Sequence, residues 1–86
     1  MIQVNYKPSF IRQFDALEPE LQDEALEKIE LLKNPKNHLK LRVYKLHGAL
    51  KNCFSFSVNY KVRIVFENSS KTEIVLLVIG NHDMYR

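Results

Sequence analysis

The stretch CFSFSVNYKVRIVFE, residues 53–67, decides the fold. Two runs rich in aromatic and β-branched residues, 53–58 and 61–67, flank the short link Asn59–Tyr60, the layout of a β-hairpin. Successive strand residues point to opposite faces, so the pleat sorts each run in two. Phe54, Phe56 and Val58 point one way, while Cys53, Ser55 and Ser57 point the other. In the second run Val62, Ile64 and Phe66 oppose Lys61, Arg63, Val65 and Glu67. The aromatic and branched set needs a cover of helices. The other face is then expected to be shallow, polar and cationic, with small hydroxyls beside Lys61 and Arg63, and free for a ligand.

Reading outward, LRVYKLH (41–47) and TEIVLLVI (72–79) have the same β-like composition, and the links GALKN and NSSK are short. The 72–79 run is apolar on both faces, as a central strand is. Upstream, Ile2, Val4 and Tyr6 alternate as a half-buried strand does. Pro8 then opens a helix with Phe10, Ile11, Phe14 and Leu17 at helical spacing. Pro19 opens a second, with Leu21, Ala25, Ile29 and Leu32 on one stripe and five acids opposite, Glu24 and Lys28 forming an i,i+4 pair. The turn signal NPKNH (34–38) ends it. The expected fold is α+β: an N-terminal strand, two antiparallel helices on one face, then a four-stranded, mostly antiparallel meander. Residues 1–86 form one domain, with no internal repeat or linker.

The composition narrows the classes of function. The single Cys53 cannot form an internal disulfide, which fits a reducing cytoplasm. The longest apolar run, 74–79, is far short of the roughly 20 residues of a membrane helix, and no signal peptide is visible. Three scattered histidines and one cysteine lack metal-ligand spacing, and no Gly-rich phosphate loop occurs, so no metal or cofactor is expected. Residues 1–32 carry three basic groups against seven acids, net −4; residues 33–86 carry ten against three, net +7. A basic half of this kind attracts polyanions.

Arg63 is the sharpest residue on the polar face. Its fork of donors matches phosphate oxygens bidentately, although a surface pair with Glu67 or Glu73 would explain it more plainly. After Gly80 the chain closes on His82, Asp83, Tyr85 and Arg86. An imidazole there can give or take a proton near neutrality, or simply cap the strand on a carbonyl. Asp83 reads as a turn residue, Tyr85 reads equally as a lid over the core, and His38 reads as a solvated loop residue.

YKLHGALKNCFSFSVNYKVRIVFE followed by IVLLVIGNHDMYR resembles the RelE/ParE superfamily of bacterial type II toxins, most closely the RelE/YafQ-like mRNA interferases. The shared features are the corner Lys45, Leu46, Gly48, then Leu50 and Lys51, the RIVF strand with Arg63, and the ending Gly80, His82, Asp83, Tyr85, Arg86. The resemblance implies a microbial-ribonuclease-type sheet and a ribosome-dependent endoribonuclease that cuts mRNA by metal-independent 2′-hydroxyl attack. It implies a cognate antitoxin and the mRNA-loaded ribosome as partners, with catalytic roles for Arg63 at the phosphate, His82 in proton transfer and Tyr85 in stacking. Lys45, His47, Lys51, Lys61 and Arg86 are then expected to contact RNA. Ser55 and Ser57 stand where catalytic members carry lysines or a histidine, and Lys61 stands where YafQ-like sequences have an acid, so the general base is unassigned. A ParE-like toxin that inhibits DNA gyrase without catalysis, or a decayed toxin that only binds its antitoxin, are the alternatives.

Overall fold

Each helix begins on a proline, whose missing N–H is an orphan at that position anyway. The computed structural model describes residues 1–48 and 52–81. Its elements are β1 (Gln3–Tyr6), α1 (Pro8–Asp15), α2 (Pro19–Leu32), a 3-10 turn (Pro35–Asn37), β2 (Tyr44–Lys45), β3 (Cys53–Ser57), β4 (Val62–Asn68) and β5 (Glu73–Asn81). The five strands form one sheet in the order β1-β5-β4-β3-β2. β1 runs parallel to β5, and the other pairs are antiparallel. The expected α+β architecture is what the chain adopts, with the apolar 72–79 run in the sheet interior. No helix among the described residues is long and apolar enough to cross a membrane.

The helices cover the face that the hairpin pattern assigned to them. Phe10 of α1 and Ala25, Ile29 and Leu32 of α2 pack with Phe56, Ile64, Phe66 and Leu76 of the sheet. Phe66 centres this layer, 5.6 Å from the Phe54 ring and 5.9 Å from the Phe56 ring. The C-terminal carbonyls of α2, which a helix leaves unpaired, are taken up by the next turn. Asn37 Nδ2 donates to Leu31 O at 2.8 Å, and His38 Nε2 lies 3.1 Å from Leu32 O. His38 is therefore a half-buried helix cap rather than a solvated loop residue.

Four further expectations need correction. The strand expected over 41–47 is only Tyr44–Lys45, because residues 38–42 form turns that drop Leu41 into the core and give Arg42 a φ of 56°. Lys61 lies in the turn before β4 rather than on the strand. Glu24 does not pair with Lys28; its Oε1 accepts from Asn59 Nδ2 at 2.9 Å and ties the β3–β4 hairpin to α2.

The fourth correction concerns the second face of the sheet. A β-bulge opposite Val65/Phe66 turns Leu77 and Val78 to the same side, where they pack with Leu46, Cys53 and Val65. That face is thus partly apolar and covered. Ser55 is fully buried there, and its hydroxyl is not available to a ligand.

Candidate phosphate-binding site

Arg63 is the second residue of β4, opposite Ser57 of β3 and Gly80 of β5. Only 8% of the residue is exposed. Its Nε donates to Ser55 Oγ at 3.0 Å, and its Nη2 donates to the backbone oxygen of Arg42 at 2.8 Å. The guanidinium carbon lies 4.4 Å from the centroid of the Tyr44 ring, a cation–π contact. Tyr44 reaches this position because it is the cross-strand partner of Ser55. Three strands and the 38–42 turn therefore converge on one side chain.

Every described group in this cage is neutral. Among the described residues the ion pairs are Lys28–Glu27 and Lys33–Glu30, so neither Glu67 nor Glu73 pairs with Arg63. A guanidinium has five N–H donors, and the described residues engage two of them. Burying a cation without a counter-charge costs several kcal/mol in the absence of an anion. Among the described residues the arrangement is electrostatically incomplete, and a phosphate oxygen fits what it lacks.

The other anticipated site residues separate into groups. Lys45 neighbours Tyr44 in β2 and so faces the opposite side of the sheet, in register with Phe54. It lines a polar groove with Asn52, Glu67 and Asn68. His47 is exposed just past β2. Lys61 is exposed, its Nζ 5.5 Å from the Tyr60 ring centroid. Lys51, His82, Asp83, Tyr85 and Arg86 lie outside the described residues. β5 ends at Asn81, paired with Val62, so the described chain stops beside the Arg63 position.

Arg42 and Tyr44 are the members of the site that the sequence did not disclose. The signal for Tyr44 is its register with Ser55, which only strand pairing reveals. Ser57, the other hydroxyl expected on this face, donates to Asn59 O at 2.8 Å and serves the hairpin turn.

The fold has clear relatives among solved structures. YafQ of E. coli matches with a TM-score of 0.79 at 9% identity, over 96% of both chains. The toxin–antitoxin complex RelBE2 of Mycobacterium tuberculosis matches at 0.74 with 18% identity, over 94% of this chain and 98% of that one. The chain has the RelE/ParE toxin fold. A conserved hypothetical protein of Helicobacter pylori shares this RelE/ParE fold at a TM-score of 0.74 and 22% identity, over 96% of this chain and 97% of that one. No family model and no curated protein matches the sequence. Identities this low establish the fold alone.

Proposed function

We propose that this chain is the toxin of a bacterial type II toxin–antitoxin pair and that it arrests translation in the cytoplasm by cutting mRNA on the ribosome. The carrying observation is the cage around Arg63, neutral among the described residues, which leaves there a buried positive charge and unused donors for a phosphodiester. Toxin–antitoxin complexes among the solved structures of this fold support the toxin role and a cognate antitoxin as partner.

In this reading a base takes the proton of the ribose 2′-hydroxyl, the freed oxygen attacks phosphorus, and the 5′-oxygen leaves with a proton. Arg63 stabilises the charge that builds on the phosphate. His82, next in sequence after Asn81, is the residue suited to proton transfer, and Tyr85 stacks on a base. Lys51, Lys61, His47 and Arg86 hold the RNA backbone, and Lys45 contacts it from the other side of the sheet.

One observation favours a second reading. Ser55 is buried and Ser57 is engaged in the hairpin, so neither serine of the described strands offers a free proton-transfer group to Arg63. A toxin that inhibits DNA gyrase by binding needs none. Induction in a bacterial host, with primer extension on a known transcript, separates the two. The nuclease reading expects translation arrest with mRNA cut in frame, lost in His82→Ala and Arg63→Ala. Intact mRNA, DNA-damage signalling and co-purifying gyrase would establish the other. Growth unaffected by induction would exclude both.

A further inference from the structure

The tip of the β3–β4 hairpin displays Tyr60 with 86% of its surface exposed. A lone exposed ring is ordinary on a protein surface. Two features set this one apart, its rigidity and its companion cation. Asn59 Oδ1 accepts from the backbone N–H groups of Lys61 and Val62, both at 2.8 Å. Asn59 Nδ2 donates to Glu24, and Ser57 Oγ donates to Asn59 O. The ring is therefore presented on a turn fastened from four directions, so its binding costs little backbone ordering. Lys61 Nζ then stands over the ring, 5.5 Å from its centroid, placing an ammonium on one side of the platform.

The position matters as much as the chemistry. Val62 pairs with Asn81 and Arg63 with Gly80, so the tip extends from the sheet end where β5 finishes. Three residues at no more than about 3.3 Å each put Tyr60 within roughly 10 Å of Arg63 along the chain. That span corresponds to a few nucleotides of stacked strand at about 3.4 Å each. Glu18, Glu20 and Glu24 line the hollow between the tip and α2. Their charge repels phosphate from that side and leaves the approach toward Arg63 as the favoured one.

We propose that Tyr60 and Lys61 form a single-stranded RNA contact, with a base stacked on the ring and the adjoining phosphate on the ammonium. An aromatic face beside a cation is how proteins hold unpaired strands without reading sequence. Duplex RNA, whose bases are already stacked on one another, does not satisfy the ring. The inference rests on the RNA-directed reading above and adds to it a site remote from the scissile phosphate.

The test is fluorescence anisotropy of the full chain with a labelled 2′-O-methyl decanucleotide, single-stranded and as a duplex, across a salt series. The modification removes the 2′-hydroxyl, so no cleavage confuses the titration. Tyr60→Ala is expected to weaken single-strand binding by about five- to a hundredfold, the range of one lost stacking contact. Tyr60→Trp should bind as the parent does, and the duplex should not discriminate between variants. Lys61→Gln should lower the slope of log affinity against log salt by about 0.7, one phosphate contact. Tyr60→Ala binding like the parent, or Tyr60→Trp losing as much as alanine, overturns the site. Primer extension on the same variants keeps the outcomes apart: in-frame cleavage with unchanged anisotropy discards this contact and leaves the nuclease reading standing.

Discussion

Arg63 Nη2 donates to the backbone oxygen of Arg42 at 2.8 Å, and Arg42 holds a left-handed φ of 56°. Left-handed backbone costs a residue with a Cβ about 1–2 kcal/mol. Such strain persists only where its surroundings hold it. Here Arg42 N–H donates to Leu39 O, and Ser57 N–H donates to Leu41 O, pinning the turn against β3. The turn, in effect, aims a carbonyl at the guanidinium.

That relationship makes Arg42 a backbone position rather than a charge position. Arg42→Gly should stay within about 1 kcal/mol of the parent in urea unfolding, because relieved strain offsets the extra freedom of unfolded glycine. Arg42→Val should lose about 2 kcal/mol or more, since a β-branched residue is an outlier at this φ. Growth arrest on induction should follow the same order. A valine variant as stable as the parent would show that the left-handed turn is not strained.

Ser55 gives the complementary test of the neutral cage. Ser55→Ala removes the acceptor for Arg63 Nε–H and should cost about 1.5–3 kcal/mol, the usual value for a hydrogen bond to a charged group. Ser55→Asp instead supplies Arg63 with a carboxylate that the described residues do not provide. The expected outcome is a folded protein, judged by circular dichroism and a cooperative melt, that no longer arrests growth. Undiminished arrest by a folded aspartate variant would mean that the uncompensated charge is not what the site uses.

The hairpin was legible because its alternation is strict: the same pleat that puts Phe56 and Ile64 under the helices puts Ser55 and Arg63 together on the other face. What the pleat does not carry is depth. A serine two residues from another serine reads alike whether it is wet or, as Ser55 is, fully buried. The short β2 was illegible for a related reason. LRVYKLH has the composition of a strand, and the left-handed turn at Arg42 is not marked by the glycine or asparagine that normally signals one. The bulge in β5 likewise hides in IVLLVI, where every residue is apolar and any register looks equally good. Lys45 and Arg63 both read as cationic surface, and only the pairing of Lys45 with Phe54 puts them on opposite faces.

α1 completes the edge of the sheet where β1 stops. β1 pairs with β5 only as far as Leu76, so the outer edge beyond it has no strand neighbour. Ser9 Oγ donates to Leu77 O at 2.8 Å, and Gln13 Oε1 accepts from Ile79 N–H at 2.9 Å. Gln13→Leu should leave that amide unpaired and cost about 1–3 kcal/mol. Gln13→Glu keeps the acceptor. Amide hydrogen exchange at Ile79 should accelerate in the leucine variant and stay slow in the glutamate variant. Equal protection in both would show that α1 does not hold the strand's end.

Cys53 sets an alkaline limit on stability. Burial against Leu46 and Val65 pushes its thiol above the ordinary value of 9.0, and the negative charge of Glu67 adds to the effect. The folded chain thus holds this proton more tightly than the unfolded chain does. The stability it contributes is complete below the unfolded thiol's value and is lost as pH rises through the higher folded value. Urea midpoints should therefore fall as the pH passes 9.0 and beyond, and Cys53→Ala should flatten that part of the curve whatever its absolute stability. A disulfide reagent at about pH 8 should label the native thiol far more slowly than the urea-unfolded one, because the thiolate is the reactive form. Native labelling at the unfolded rate would mean that the cluster around Leu46 and Val65 does not close over Cys53.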